Sequence, residues 1–229
     1  MEIIRYAELR AEPWRNKGGV TRELASHPKA ASSQDGAWDW RVSIAEVSKA
    51  GQFSAFPGMD RVLTVVDGEL LLLTVDGSEH PLEKYRPFRF PGDADVTGAL
   101  PTGDIRGLNV ITRNGAFKGY TSIIELSKKR AHPVFEGQLG ILLQGQATVS
   151  PGAAGADASD AGPGGEAPGS GAPGSGDTPD GGEAPEAAPS PGEPETLGRY
   201  DAVVGSDSGT PEILGRGFLA VVSIDRVTG

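Results

Sequence analysis

Two Asp-Gly pairs constrain this chain more than any other feature of it. In "DRVLTVVDGELLLLTVDGSEHPL" they are Asp67-Gly68 and Asp76-Gly77, each closing an apolar run. Asp-Gly between alternating hydrophobic stretches is a strong hairpin signal, because tight turns between strands need residues that tolerate positive φ. The same reading extends in both directions. "WDWRVSIAEV" alternates Trp38, Trp40, Val42 and Ile44 with Asp39, Arg41, Ser43 and Ala45, the period of a strand with two distinct faces. "GLNVITRN", "GYTSIIELS", "LGILLQGQATVS", "RYDAVVG" and "GRGFLAVVSIDRV" follow as further short strands. No amphipathic helix longer than about two turns is evident. Short strands at regular spacing with glycine turns predict an all-β fold built from barrels or sandwiches.

One stretch breaks the pattern. Residues 151–197 carry half of the chain's 18 prolines and a large share of its 34 glycines, with Leu197 as their one large apolar residue. "GGEAP" and "APGSG" each occur twice there. Such a segment buries too little apolar surface to offset the entropy of ordering it, so it is expected to be a disordered insert. A recruitment tail for a partner is the alternative, but it would lack apolar anchors. "ILLQGQATVS" and "ETLGRYDAVV" flank the insert as two neighbouring strands would, and closure entropy grows slowly enough with loop length to tolerate it. The insert also accounts for the net charge of −10, because its acids have no Lys or Arg among them and the remainder is near neutral. That balance leaves no electrostatic footprint for nucleic acid or for an acidic membrane.

Several chemistries are disfavoured by composition. Cysteine is absent, which removes disulfides, thiolate catalysis and thiolate-bound metals. The first residues lack the apolar core of a signal peptide, and no apolar run reaches the ~18 residues of a membrane span. A cytoplasmic location is the expectation. His27, His80 and His132 are scattered and read as exposed loop residues, without the H-x-H spacing of a metal-binding barrel strand. No metal and no cofactor are expected, and there is no G-x-S-x-G elbow for a nucleophile. Arginines remain. Arg22, Arg41 and Arg61 lie in or beside predicted strands, and Arg41 shares a face with Ser43. If that face points into a barrel, the guanidinium forks suit small carboxylates. If it points out, the arginines pair with Glu23, Glu46 or Asp60 at the surface.

Taken in order, "PWRNKGGVTREL", "WDWRVSIAEV", "GQFSAFPGMDRVLTVVDGELLL", "FRFPGDADV" and "LNVITR" resemble the HutD/Ves family over the first 115 or so residues. The resemblance implies a bicupin, two small cupin-like β-barrels in one chain, covering 1–116 and 117–229 with the 151–197 insert in the second. It further implies a binding role in histidine utilisation or its regulation, with N-formylglutamate or a related acid as ligand and no metal cluster. Carried over by position, the family pattern falls on Asn16, Gly18, Gly19, Thr21 and Arg22, then on Arg41 and Ser43, then on Asp60 and Arg61. Asn109 and Arg113 are retained from a later motif. Lys17 stands where the family has a glycine, and Gly107-Leu108 where it tends to have Asp-Phe.

The expected ligand-binding set is therefore Asn16, Gly18, Gly19, Thr21, Arg22, Arg41, Ser43, Asp60 and Arg61, with no catalytic residue. Gly18 and Gly19 either let a ligand approach the backbone or merely shape the turn into a strand. A metal-free isomerase or lyase with Asp60 or Glu23 as general base is the rival reading, and a structural or stress-related interaction protein is the third. Exposed barrel edges leave a homodimer open.

Overall fold

The structure, a computed structural model, describes residues 1–14, 17–28, 38–152 and 192–228. Strands follow one another almost without interruption. They are β1 (Glu2–Ile4), β2 (Glu12–Pro13), β3 (Gly19–His27), β4 (Trp40–Val47), β5 (Gly51–Gln52) and β6 (Met59–Asp67). Next come β7 (Leu70–Val75), β8 (Ser78–Glu83), β9 (Phe88–Pro91), β10 (Val96–Ala99), β11 (Ile105–Arg113) and β12 (Phe117–Leu126). The chain ends with β13 (His132–Pro133), β14 (Gln138–Pro151), β15 (Glu195–Leu197), β16 (Ala202–Val204) and β17 (Pro211–Arg226). Helical structure among the described residues is limited to one 3₁₀ turn, Tyr6–Glu8. The all-β expectation holds.

Three sheets result. A six-stranded sheet runs β2-β3-β4-β11-β6-β9, and a four-stranded sheet runs β5-β10-β7-β8. These two enclose a core that includes Ala45, Leu63, Leu71, Leu73, Leu82, Phe90 and Val96. The third sheet has seven strands, with β1-β16-β14-β17-β12 as its main path. Its face carrying Leu139, Ile141, Leu143 and Val222 packs on Val42, Ile44, Leu108 and Val110 of the six-stranded sheet. Its other face closes over Leu142, Val149, Leu197, Val203, Ile213 and Leu219. Removing a Val, Leu, Ile or Phe side chain from water in these layers contributes roughly 1.5–3 kcal/mol.

Alternation along β4 decides what faces what. Val42 and Ile44, both 0% exposed, point to the seven-stranded sheet, so Arg41, Ser43 and Ala45 point into the barrel formed by the other two sheets. The apolar side of this strand is thus the layer between sheets, and its polar side is the barrel interior.

Two sequence expectations need correction. Asp76-Gly77 does turn the β7–β8 hairpin, with φ of 47° and 81°. Asp67-Gly68 does not make a hairpin, because β6 belongs to the six-stranded sheet and β7 to the four-stranded one. It is a corner between sheets, and a Cβ on Gly68 would lie 2.7 Å from the Asp104 carbonyl oxygen. The histidines, expected in exposed loops, lie on strands. His80 packs on Phe88 at 4.6 Å, and burial pushes the His132 pKa down.

The expected insert, 151–197, falls mostly outside the described residues. Its edges do not. Pro151 still pairs in β14, and Glu195–Leu197 form β15, antiparallel to β14 with Val149 opposite Glu195. The ordered strands therefore run further into the Gly/Pro-rich stretch from both sides than composition indicated.

Candidate functional site

A cavity of about 1050 Å³ opens inside the barrel formed by the six- and four-stranded sheets. Three neighbouring strands of the six-stranded sheet floor it, with Arg41 and Ser43 from β4, Asn109 and Ile111 from β11, and Arg61 from β6. Trp14, Thr21, Phe53 and Phe56 form walls, and Glu12, Gln52, Ser54, Asp93 and Asp95 stand exposed around the mouth. The volume is that of a small-molecule site.

Arg61 is the most unusual of these residues. Its side chain is 4% exposed, and its guanidinium lies against Phe90 at 4.9 Å, Phe56 at 5.2 Å and Phe53 at 5.9 Å. One terminal nitrogen donates to the Ser54 carbonyl at 3.1 Å, the other to Asn109 Oδ1 at 3.0 Å, and Nε has no partner. No ion pair among the described residues involves it. Burial, with the nearby charge of Arg41 as a second cause, pushes its pKa down to about 10. Arg41 lies over the Trp38 ring at 5.4 Å, its Nε is buried without a hydrogen bond, and Glu23 reaches it only at 3.9 Å. Two under-paired guanidiniums thus face one cavity.

Small polar groups complete the floor. Ser43 is 2% exposed, lines the cavity and has no side-chain hydrogen bond among the described residues. Thr21 Oγ1 accepts from Trp14 Nε1 at 2.8 Å, which leaves its own hydroxyl hydrogen to donate. The arrangement suits a carboxylate, with guanidinium forks for its oxygens and hydroxyls beside them.

The expected residues divide. Thr21, Arg41, Ser43 and Arg61 converge on the cavity, whereas Gly18, Gly19, Arg22 and Asp60 do not line it. Asn16 lies outside the described residues. Arg22 points to the other face of β3, where it pairs with Glu46 at 2.5 Å and donates to the Tyr6 hydroxyl at 3.4 Å. That pair continues along the seam through Arg106 and Asp67 to Arg199. Asp60 does not orient Arg61; Asn109 and the Ser54 carbonyl do.

The glycine pair has a structural explanation. A Cβ on Gly19 would sit 2.3 Å from the Glu46 carbonyl oxygen, so only glycine lets β3 close on β4 there. The Gly18 carbonyl accepts from the Ser48 and Lys49 amides. Lys17, in place of the family's glycine, takes φ 53° in the same turn.

Sequence reading missed Asn109 and the phenylalanines as site residues. Asn109 had a signal, an amide in the middle of the apolar run "GLNVIT". Phe53 and Phe56 stand in the same segment as Arg61, whereas Phe90 comes from a separate one, and folding brings it to the same cation.

The HutD family model matches residues 6–161. The chain belongs to the HutD family. Protein Ves of Citrobacter koseri is similar to this HutD-family chain, 35% identical over 127 residues. That match covers 53% of this chain and 64% of the relative, so the chain spans a little under two thirds of the relative's length. HutD from Pseudomonas fluorescens, solved in a formate condition, superposes with a TM-score of 0.66 at 22% identity, over 99% of both chains. A cupin 2 conserved barrel domain protein from Leptotrichia buccalis superposes with a TM-score of 0.51 at 6% identity, over 99% of this chain and 96% of that one. At these identities the structural likeness is one of fold, and the fold is the cupin-like β-barrel. Among the described residues no helix is long and apolar enough to cross a membrane, and no group of three or more His, Cys, Asp or Glu is placed to hold a metal ion.

Proposed function

We propose that this HutD-family chain binds a small organic acid in the Arg41–Arg61 cavity, as a binding protein of histidine utilisation or its regulation, with N-formylglutamate or a related acid as ligand. The observation that carries this is Arg61, a buried cation facing a cavity with no carboxylate paired to it among the described residues. Leaving a charge desolvated and unpaired is costly, and an incoming carboxylate relieves that cost. Arg41 supplies a second fork, and Ser43 and Thr21 supply hydroxyls for a formyl or carboxylate oxygen. Binding without turnover is favoured because the carboxylates around the cavity, Glu12, Asp93 and Asp95, are all exposed. A general base poised near working pH needs burial or a close charge partner.

A thermal-shift titration against N-formylglutamate, urocanate, glutamate, histidine and formate tests the reading. Ligand at about 100 times its Kd stabilises the native state by ~2.7 kcal/mol and raises the melting temperature. In Arg41→Ala that shift is expected to weaken by about 10- to 100-fold in ligand concentration, the loss of one charge-assisted contact, with the unliganded melting temperature almost unchanged. No shift with any acid at millimolar concentration overturns the proposal.

A further inference from the structure

The floor of the cavity is ordered in rungs across three strands, and only one rung is cationic. We infer that the ligand carries a neutral carbonyl or amide oxygen a few bonds from its carboxylate, and that Asn109 and Ser43 are the specificity-determining pair that reads this oxygen. This rests on the reading of the cavity as a carboxylate site.

Strand register sets the rungs. Ile111 of β11 pairs with Arg41 on β4 and with Arg61 on β6, so the two arginines flank one apolar residue. Two residues along, Asn109 pairs with Ser43 and with Leu63. The rung after that, Gly107 with Ala45 and Val65, ends in the closed apolar core. A neutral polar rung therefore lies between the cations and the core. It holds donors that the protein itself hardly uses. Arg61 offers only donors, so it takes Asn109 Oδ1, at 3.0 Å, and turns the amide nitrogen the other way. That nitrogen carries two hydrogens and reaches one acceptor, the Gly107 carbonyl, at 3.5 Å, long for an N–H···O bond. The Ser43 hydroxyl on the neighbouring strand lines the cavity without a partner among the described residues. Both side chains are buried, and buried donors without an acceptor are costly. One neutral carbonyl oxygen between them satisfies both, while the guanidinium forks hold the carboxylate. The Arg61 head reaches back to Asn109, which places the two ligand groups close together.

N-formylglutamate and 2-propylglutarate test this, because they share both carboxylates and differ only in a formylamino group against a propyl group of equal heavy-atom count. Their dissociation constants are measured by calorimetry on the full chain at pH 7. N-formylglutamate is expected to bind about 10- to 100-fold tighter, since its analogue leaves the amide and hydroxyl donors unpaired. In Ser43→Ala and in Asn109→Leu that ratio is expected to fall by about 5- to 10-fold each. The ratio is the readout because Asn109→Leu also frees Arg61 and weakens both ligands alike, whereas Ser43→Ala leaves the Arg61 contacts in place. Equal affinity for the two acids, or a ratio that survives both variants, overturns this inference and leaves the acid site standing. Binding of another acid in the thermal-shift titration where N-formylglutamate fails does the same. Failure of every acid in both experiments removes the acid site itself.

Discussion

At Arg61 the chain keeps a guanidinium 4% exposed among three phenylalanine rings, with an amide and a carbonyl oxygen beside it but, among the described residues, no ion-paired carboxylate. A pKa pushed down by burial to about 10 corresponds to about 3 kcal/mol of cost for holding the charge. The sign follows from the direction of the shift. Below pH 10 both folded and unfolded states are protonated there and the cost is carried in full. As pH rises through about 10 towards the ordinary arginine range the folded state loses its proton first, and the cost fades. Arg61→Met is therefore expected to stabilise the unliganded protein by about 1–2 kcal/mol in urea unfolding, while abolishing acid binding. A loss of stability in that variant would mean that the Asn109 and Ser54 contacts outweigh the burial of charge. Acid affinity is also expected to hold level to about pH 9 and to fall as pH passes through about 10, where the cation is lost. Calorimetry across pH 8–11 reads this directly, and a flat profile would place the binding energy elsewhere. Part of this was legible in residues. Arg41 and Ser43 share a strand face in "WDWRVSIAEV", and Thr21 and Arg61 stand in motifs that resemble the family's. The distant partners of Arg61 were not legible, since Asn109 is 48 residues away and Phe90 is 29.

Strands β3 and β4 show how an element can carry two unrelated roles on its two faces. On β4 one face supplies Arg41 and Ser43 to the cavity, while Val42 and Ile44 are sealed against the seven-stranded sheet. On β3 Thr21 serves the cavity and Arg22 the ionic seam. A one-residue slip would exchange these faces, so the register must be held. Gly19 holds it by allowing the close approach to the Glu46 carbonyl. Gly19→Ala is expected to cost about 2–3 kcal/mol in urea unfolding, because the clash is with backbone that cannot rotate away. A cost under about 0.5 kcal/mol would show that the β3–β4 edge yields easily. Period-2 alternation showed that β4 has two faces. It did not show which of them is interior, because both a lined cavity and an aliphatic layer are compatible with the same alternation.

Across the whole molecule, the two halves of the chain are joined through one shared aliphatic layer and through strand exchange at the start, where Glu2–Ile4 pair with Ala202–Val204. The Gly/Pro-rich segment connects β14 to β15, which lie side by side. Replacing residues 153–191 by a short Gly-Ser turn is therefore expected to leave the melting temperature unchanged or to raise stability by about 1–2 kcal/mol, through the smaller closure entropy. A drop of many degrees in calorimetry would assign that segment a structural role. What the sequence by itself determined is the all-β class, the family, the place of the strand interruption and the strand faces that carry arginine. Those are properties of local period, composition and motif order, which survive without knowing what packs on what. Only the tertiary structure decided that Asp67-Gly68 turns a corner between sheets, that Arg22 leaves the cavity for the seam, and that Arg61 stays under-paired. Each of those outcomes depends on which distant strand arrives beside the residue, and pairing across tens of residues leaves no trace in a residue's own neighbourhood.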